Sequence, residues 1–344
     1  MSDRELLTNS HMSSVMTCPR KAYYEYEVGI KPVTDKEAFR FGTAWHLAME
    51  HRWKGDDIDT AFQAVVDSAP ENNLDEHLLA VISGLLVGYY NFYEEDIKGE
   101  RLPELEFKYN IQNSLTFASA GKIDCVIKSG NQNIMVEHKT TGEDIADGSQ
   151  YWDRLRFNPQ LFGYYLGAKS MGHEIDTVLY DVVRKPNIRP KTSISCLDED
   201  GKKIVVDNKG ERVYKKNGEP RESSDSKLGY ELQTREETLE EYSQRLAEDC
   251  IARPEFYFAR RQVPVLIQDL EAFVDQRIEV GKQILHYRNR AKKVGIAGWP
   301  RNCQFWTCNM CAYAGFCLSG VPLDLNHMPE GFELRRINEE LETI

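Results

Sequence analysis

The stretch GKIDCVIKSGNQNIMVEHK, residues 121–139, decides the fold of this 344-residue chain. Two apolar runs flank the turn residues Gly130 and Asn131, and this pattern predicts a β-hairpin. A hairpin centred on that turn places Asp124 opposite Glu137 on one face of the sheet. Cross-strand neighbours have Cβ atoms about 4.5–5.5 Å apart, so two carboxylates in these positions repel unless a proton or a cation lies between them.

The charged face of this hairpin is suited to a divalent cation. Mg²⁺ and Mn²⁺ prefer an oxygen-rich setting of this kind. Because side chains alternate along a strand, Lys139 is directed to the same face as Glu137. An ammonium there can orient a metal-bound water and stabilise negative charge on a phosphorus centre. The other interpretation of the same residues is a solvated ladder of surface ion pairs.

The elements around the hairpin predict an α/β core. Residues 36–52 have helical spacing, as do the apolar residues from Leu74 to Tyr93, and a polar loop is expected between these two helices. Three strand-like runs follow, LEFKYNI, ASAGKIDCVIK and NIMVEHK. A helix after Pro159 and the strand IDTVLYDVVR come next. The order of helix, three strands, helix and strand describes a compact α/β core.

The remainder of the chain is predicted to elaborate this core. Residues 185–234 are polar and Gly-rich, which is typical of an inserted loop or an excursion hairpin. Helices are expected near 236–252 and 266–293. The apolar stripe of the second consists of Ile267, Leu270, Val274, Ile278, Gly281 and Leu285.

The carboxylate spacing resembles the signature of the PD-(D/E)XK nuclease superfamily, which is an Asp, a spacer and Glu-x-Lys. Here the signature consists of Asp124, twelve further residues, and Glu137-His138-Lys139. The resemblance implies a restriction-endonuclease-like core that hydrolyses DNA phosphodiester bonds with one or two Mg²⁺ or Mn²⁺ ions. It also implies that Asp124, Glu137 and the His138 carbonyl hold metal, while Lys139 assists the attacking water.

Two more motifs extend the resemblance to the RecB-like branch of this superfamily. An upstream G-x-x-x-H runs from Gly42 to His46, and a downstream Q-x-x-x-Y runs from Gln160 to Tyr164. By resemblance, His46 is a metal ligand, and Gln160 and Tyr164 join the catalytic set by touching the DNA strand near the metal. Taken alone, each of these residues is typical of an ordinary core or helix-surface position.

Cysteines near both ends form a further motif. The segment CQFWTCNMCAYAGFC contains Cys308, Cys311 and Cys317. A closed tetrahedral metal site needs four ligands, so these three thiolates lack one. From spacing alone, the default metal for such a site is zinc. Resemblance to RecB-like nucleases, including AddB-type, CRISPR-associated and phage-type members, assigns Cys18 as the fourth ligand of a [4Fe-4S] cluster. Such a cluster joins the two termini as a structural staple. Cys303 is either a free thiol or an alternative ligand.

The resemblance therefore predicts one RecB-like nuclease domain over residues 1–344. Its expected parts are a catalytic core at 36–184 with a helical insertion at 56–99, a polar insertion at 185–234, C-terminal helices at 235–300, and a cluster-binding region at 301–320 together with Cys18.

The segment VVRKPNIRPK places basic residues beside the last core strand. Arg184, Lys185 and Arg189 are expected to contact DNA phosphates, and this segment too resembles phage-type and bacterial RecB-like exonucleases. A net charge of −12 argues against a nonspecific nucleic-acid coat but permits a local basic groove. Since no Walker A motif is present, unwinding of DNA would require a helicase or recombination protein as a partner.

Composition limits the remaining classes. A chain with 41% hydrophobic and 28% charged residues is neither disordered nor a small disulfide scaffold. No apolar run has the length of a membrane helix or a signal peptide, so we expect a location in the bacterial or phage-infected cytoplasm. The DNA substrate is expected to be single-stranded or to have free ends. An exonuclease of recombination, repair or phage DNA processing, a CRISPR-associated spacer-processing nuclease, a catalytically silent DNA-binding subunit and a zinc-stabilised interaction protein remain the alternatives.

Overall fold

The structure, a computed structural model, describes residues 4–33, 37–156, 158–319, 323, 327–335 and 341. The described helices are α1 Asn9–Thr17, α2 Pro19–Ala22, α3 Glu37–Lys54, α4 Ile58–Asn72, α5 Glu76–Phe92, α6 Gln150–Leu155, α7 Pro159–Ser170, α8 Leu239–Ala252, α9 Pro254–Tyr257, α10 Ile267–Val294, α11 Phe305–Asn309 and α12 Ala314–Ser319. The strands are β1 Glu5–Leu7, β2 Ile30–Pro32, β3 Glu100–Asn110, β4 Phe117–Ser129, β5 Gln132–Thr141, β6 Thr177–Arg184, β7 Ile194–Ser195, β8 Val205–Val206, β9 Glu231–Leu232, β10 Thr234–Arg235, β11 Phe258–Val263 and β12 Phe332–Leu334.

A six-stranded mixed sheet organises these elements. Strands β3, β4 and β5 form an antiparallel meander, β6 runs parallel to β5, and β11 pairs antiparallel with β6. The connection from β5 to β6 passes through α6 and α7, as a parallel pair requires. The predicted order of helix, three strands, helix and strand is confirmed. Strand β1, parallel to the start of β4, and strand β11 were not predicted.

The hairpin at the centre of the sheet has the predicted register. Cys125 pairs with Val136 and Ile127 with Ile134, and the turn residue Gly130 has a φ of 59°. A positive φ of this size is accessible to glycine at little cost, which explains why the turn lies there. The hairpin prediction is therefore confirmed.

Apolar layers cover both faces of the hairpin. On one side Cys125 and Val136 belong to a buried cluster with Trp45 of α3 and Leu85 of α5. On the other, Met135 belongs to a second cluster with residues of β3 and α7. Because the strands that carry the motif are buried on both faces, their backbone positions are set by the core.

The prediction of a polar loop between the first two helices is wrong. Helix α4 occupies that segment, which agrees with the predicted helical insertion. The Asp57 side chain caps α4 by accepting a hydrogen bond from the Thr60 N–H at 2.8 Å, and Ala61 and Val65 are buried along one face. The spacing of these two apolar residues, four apart, is typical of an amphipathic helix, and it was missed by the sequence analysis. Residue 36, where the first helix and the core were expected to begin, lies outside the described residues.

The helices expected after the insertion are confirmed as α8 and α10, and the predicted stripe of α10 is confirmed in part. Gly281 is buried, and Leu270, Ile278 and Leu285 pack against a buried cluster. Phe273, Arg277, Val280 and Ile284 are buried outside the predicted stripe, whereas Ile267 is 74% exposed. The polar insertion contains β7 to β10 and several isolated β-bridges, so it folds into short hairpin turns. Among the described residues, no helix is long and apolar enough to cross a membrane.

Candidate active site

The first carboxylate of the motif lies where the ladder between β4 and β5 ends. The described pairing stops at Cys125 and Val136, one residue before Asp124. There the Asp124 Oδ2 atom accepts a hydrogen bond from the His138 backbone N–H at 2.6 Å. The Oδ1 atom lies 3.4 Å from Nδ1 of His46 on α3. The upstream histidine motif and the hairpin thus meet at one carboxylate.

The second carboxylate begins a chain of side-chain contacts that reaches α7. Glu137 is 1% exposed, and its Oε1 lies 2.5 Å from Nζ of Lys139. The same ammonium donates to Oε1 of Gln160 at 2.8 Å, and the Gln160 amide donates to the Tyr164 hydroxyl at 2.8 Å. The Asn158 side chain accepts from the Gln160 N–H at 3.0 Å and so fixes the start of this helix. The structure therefore brings the Q-x-x-x-Y pair to the lysine of the signature.

The two carboxylates have opposite electrostatic environments. Burial raises the pKa of Glu137 to about 7; Lys139 opposes this shift, and the negative charge of Asp124 adds to it. For Asp124, burial acts in the same direction, but the neighbouring His46 imidazolium outweighs it and lowers the pKa of Asp124 well below its ordinary value. Burial likewise opposes the charged form of His46, yet Asp124 leaves the pKa of His46 raised.

One atom of this group is left without a partner. The Glu137 Oε2 atom is buried and accepts no hydrogen bond from the residues that the structure describes. A buried carboxylate oxygen beside a second carboxylate and an imidazole is a donor set that fits a divalent cation. Within the described part of the chain, no group of three or more His, Cys, Asp or Glu side chains is close enough together to hold a metal ion. Metal ligation by His46, Asp124 and Glu137 therefore stays a prediction.

A cavity of about 600 Å³ opens beside Asp124. Its lining includes His46, Gln160, Tyr164 and the first turn of α1. Lys122 of β4 and Glu104 of β3 also line it. They were missed by the sequence analysis. Because Lys122 lies two residues before Asp124 on the same strand, side-chain alternation was a signal that pointed to it.

The ring of His138 faces a buried polar group outside the cavity. Its Nε2 accepts a hydrogen bond from the Trp53 indole at 2.6 Å, and its Nδ1 lies 3.7 Å from Oδ2 of Asp181. The same Asp181 oxygen accepts from Nε of Arg260 at 3.1 Å. Burial lowers the pKa of His138 to about 4, so its imidazole is neutral near pH 7. The predicted contribution of His138 to a metal site thus concerns its carbonyl alone.

The predicted DNA-contacting residues lie near one another along the chain, but their side chains differ in packing and exposure. The Arg184 guanidinium packs 4.2 Å from the Phe256 ring centroid and lies 3.3 Å from a carboxylate oxygen of Asp144. The Lys185 ammonium packs 4.8 Å from the ring centroid of Phe41, whereas Arg189 is exposed. Among the described residues that line the cavity at Asp124, none comes from this basic run.

The cysteines of the two ends share a second cavity. It has a volume of about 70 Å³, and its cysteine lining consists of Cys18, Cys303, Cys308, Cys311 and Cys317. The Asn302 N–H donates to the Cys18 sulfur at 3.4 Å, and Nε of Arg20 donates to the Trp299 carbonyl at 2.8 Å, so the two ends of the chain are in contact. The thiols do not form a metal-binding group among the described residues, and residue 320, where the predicted cluster-binding region ends, is not among these.

Comparison with known proteins agrees with this arrangement. The family model of the PD-(D/E)XK nuclease superfamily matches residues 7–318. The chain belongs to the PD-(D/E)XK nuclease superfamily. The resemblance inferred from the sequence is thereby confirmed at the level of the superfamily, whose members are phosphodiester-hydrolysing nucleases that generally use divalent metals.

Two further comparisons add little. No curated protein matches the chain. A solved structure titled "Crystal structure of SSO0001" covers 94% of this chain and 90% of its own at 11% identity, with a TM-score of 0.33. At that TM-score the similarity supports no inference about this chain.

Proposed function

We propose that the chain is a Mg²⁺- or Mn²⁺-dependent deoxyribonuclease of the RecB-like branch, acting as an exonuclease in recombination, repair or phage DNA processing. One observation carries this proposal. In the described part of the chain, Oε2 of the buried Glu137 has no hydrogen-bond partner, and the charge of the neighbouring Asp124 acts on the same residue. Burying a charged oxygen without a partner is unfavourable. A divalent cation shared by the two carboxylates would supply that partner.

The side chains take distinct roles in the proposed reaction. His46, Asp124, Glu137 and the His138 carbonyl would hold the ion, which when bound lowers the pKa of water and neutralises charge on the phosphate. Lys139, held between Glu137 and Gln160 at 2.5 and 2.8 Å, orients the attacking water and stabilises negative charge on phosphorus.

Gln160 and Tyr164 are proposed to align the DNA strand. Both line the cavity at Asp124, and the hydrogen bond between them fixes the orientation of the amide. The bound strand is single-stranded or has a free end, and it continues toward Arg184, Lys185 and Arg189. A helicase or recombination protein is the proposed partner that would supply such ends.

We further infer that Cys18, Cys308, Cys311 and Cys317 bind a structural [4Fe-4S] cluster. The support is their common cavity and their spacing, with Cys303 as an alternative ligand in the same lining. Protein purified without oxygen should be brown and contain about four iron and four sulfide ions per chain. Colourless protein with stoichiometric zinc would contradict this part of the proposal and leave the nuclease site unaffected.

The direct test of the activity is a divalent-ion titration with end-labelled single-stranded and double-stranded DNA. Mg²⁺ or Mn²⁺ should produce cleavage that progresses from a DNA end, and Asp124→Asn protein purified in parallel should be inactive. Cleavage that persists in excess chelator would indicate a contaminating or different activity. An inactive wild type in every ion would favour the DNA-binding accessory subunit.

A further inference from the structure

The lining of the cavity at Asp124 includes the ammonium of Lys122, which the proposed chemistry does not use. Lys122 and Asp124 are two residues apart on β4, so their Cα atoms lie about 6.7 Å apart and their side chains leave the strand on the same side. Both line the cavity. The Lys122 Nζ lies 2.5 Å from Oε2 of Glu104, and the lysine side chain is 33% exposed. It is held in place and still accessible to a ligand.

The residue that holds Lys122 has an unusual backbone. Glu104 has a φ of 52°, a left-handed conformation that is disfavoured for a residue with a Cβ. The described ladder pairs Pro103 with Cys125 and Leu105 with Ile123 but leaves out Glu104. Conformations of this kind persist where the surroundings impose them, and they are concentrated at functional sites.

A second lysine on the same two strands provides the comparison. Lys128 of β4 pairs with Glu100 of β3 at 3.2 Å, with side-chain exposures of 36% and 62%. This pair is an ordinary cross-strand ion pair near the hairpin turn and does not line the cavity among the described residues. The Lys122 pair thus differs from it in facing the site of the proposed reaction.

The part of the cavity lining that α1 contributes suits an anion. Ser10 and Ser13 of α1, both exposed, line the cavity beside Asn9. Behind Asn9 lies Arg277, which is 3% exposed and donates to Oδ1 of Asn9 at 2.9 Å. Its other described hydrogen-bond partners are the hydroxyls of Tyr109 and Ser119, so no carboxylate pairs with this buried cation in the described part of the chain. An uncompensated positive charge makes the potential nearby more favourable for phosphate.

We propose that Lys122 binds the backbone phosphate next to the scissile one, which makes the cavity a site for two consecutive phosphates of a nucleic-acid strand. This inference rests on the proposed nuclease function. An ammonium is a compact charge that suits a phosphate oxygen, and it offsets the repulsion that Asp124 and Glu104 exert on the strand.

The test combines Lys122→Met with oligonucleotides in which one phosphate beside the cleavage site is replaced by a neutral methylphosphonate. The wild type should lose about tenfold in kcat/KM when the phosphate contacted by Lys122 is neutral. Lys122→Met should lose about tenfold on the unmodified strand and nothing further on that modified strand. Lys122→Arg should retain most activity. Lys128→Met, the matched control, should behave as wild type on every strand.

Two cleavage results would overturn the inference while the nuclease function stands. One is Lys122→Met cleaving the unmodified strand as fast as the wild type. The other is that the two effects are independent. In that case the rate loss from Lys122→Met multiplies the rate loss from a neutral phosphate, wherever that phosphate is placed.

A binding measurement keeps the inference testable if the wild type cleaves nothing, in which case the proposed function itself fails. The dependence of log Kd on log salt concentration is measured for a single-stranded oligonucleotide in Ca²⁺. Lys122→Met should lower the magnitude of the slope by about 0.7, since one phosphate contact is lost. Lys128→Met should leave the slope unchanged. An equal slope for Lys122→Met and wild type, both folded by melting temperature, would overturn the inference.

Discussion

Strands β4 and β5, which carry the predicted metal-binding carboxylates, are enclosed by two apolar clusters, whereas α11 and α12, which carry Cys308 and Cys317, bury none of their described residues. Phe305 and Trp306 beside Cys308 are 70% and 80% exposed. The buried cluster nearest the cysteines has Tyr24, Ile30 and Tyr313 as its buried members, and partly buried side chains such as Cys311, Phe316 and Cys317 pack against it. The apolar core thus sets the positions of the carboxylates, while the cysteine region is packed through a smaller cluster with mostly partly buried members.

This difference indicates that a metal would contribute differently to folding in the two regions. In the catalytic region, an ion would enter positions that hydrogen bonds already define, such as the contact of Asp124 with the His138 N–H. In the cysteine region, a cluster would itself supply the contacts that order the short helices, and its binding free energy would be folding free energy. The predictions below separate these two contributions.

The largest expected effect is on catalysis. Asp124→Ala, Glu137→Ala and Lys139→Ala should each reduce cleavage by a factor on the order of 10³ or more, because each removes a group that acts on the reacting phosphate. All three variants should stay folded without metal, with a lower melting temperature for Asp124→Ala, which loses the contacts with the His138 N–H and with His46. Cleavage rates and thermal melts of the same preparations check this. Asp275→Ala, at an exposed acid of α10, serves as the control, and near-normal cleavage in all three variants would place the active site elsewhere.

The next effect is on stability at the other region. Cys18→Ser and Cys311→Ser should lower the melting temperature by roughly 10 °C, since each kcal/mol lost shifts it by about 2–4 °C in a chain of moderate size. The Mg²⁺ concentration for half-maximal cleavage should change little in the fraction that stays folded. Cys196→Ser, in the polar insertion, is the matched control. A changed metal dependence with an unchanged melting temperature would reverse the roles assigned to the two regions.

A smaller effect concerns pH in the catalytic region. In metal-free protein, burial raises the pKa of Glu137 from 4.5 to about 7, so the protonated form stabilises the fold. That contribution is present below pH 4.5 and is lost as the pH rises through about 7. Mn²⁺ competes with this proton, and the raised pKa of His46 acts in the same direction.

The Mn²⁺-induced rise in melting temperature should therefore be greater at pH 8 than at pH 6. Glu137→Gln should remove most of this difference, because it leaves no proton to displace at that position. Differential scanning fluorimetry at matched ionic strength measures both. Equal Mn²⁺ stabilisation of the wild type at the two pH values would argue against Glu137 as a ligand.

The smallest expected effect concerns the basic run beside β6. Arg184→Ala together with Lys185→Ala should reduce the slope of log Kd against log salt concentration for single-stranded DNA by up to about 1.4, or about 0.7 for each phosphate contact. Because both side chains pack on aromatic rings, a modest loss of stability should accompany the change. Salt titrations of DNA binding decide the matter, with Lys209→Ala in the insertion as control. An unchanged slope would assign both residues to packing alone.

The catalytic hairpin could be predicted from turn residues and side-chain alternation, whereas the contacts that other elements make with it could not. The turn at Gly130 and the alternation of side chains suffice for the register and for the contact of Lys139 with Glu137. The contact of Gln160 with Lys139 depends on which face of α7 meets the sheet, so only the family resemblance indicated it.

Other features of the site depend on partners distant in the chain. The left-handed conformation of Glu104 is imposed by tertiary structure, and no residue type signals it. The Arg260 side chain is only 12% exposed because Asp96 and Asp181 approach it from other elements, and its strand, β11, was not predicted. The stripe on α10 was predicted only in part, because the partly apolar helix offers two overlapping faces and Arg277 on the buried face does not look like a core residue.

Direct measurement of Mn²⁺ binding tests the central claim that His46, Asp124 and Glu137 form one metal-dependent active site. Electron paramagnetic resonance of free Mn²⁺ gives stoichiometry and affinity for the wild type and the variants. We predict binding by the wild type and by Lys139→Ala, which removes no ligand, and at least tenfold weaker binding by Asp124→Ala, in line with the cost of losing a ligand. Unchanged Mn²⁺ affinity in Asp124→Ala, together with metal-dependent cleavage, would contradict the account.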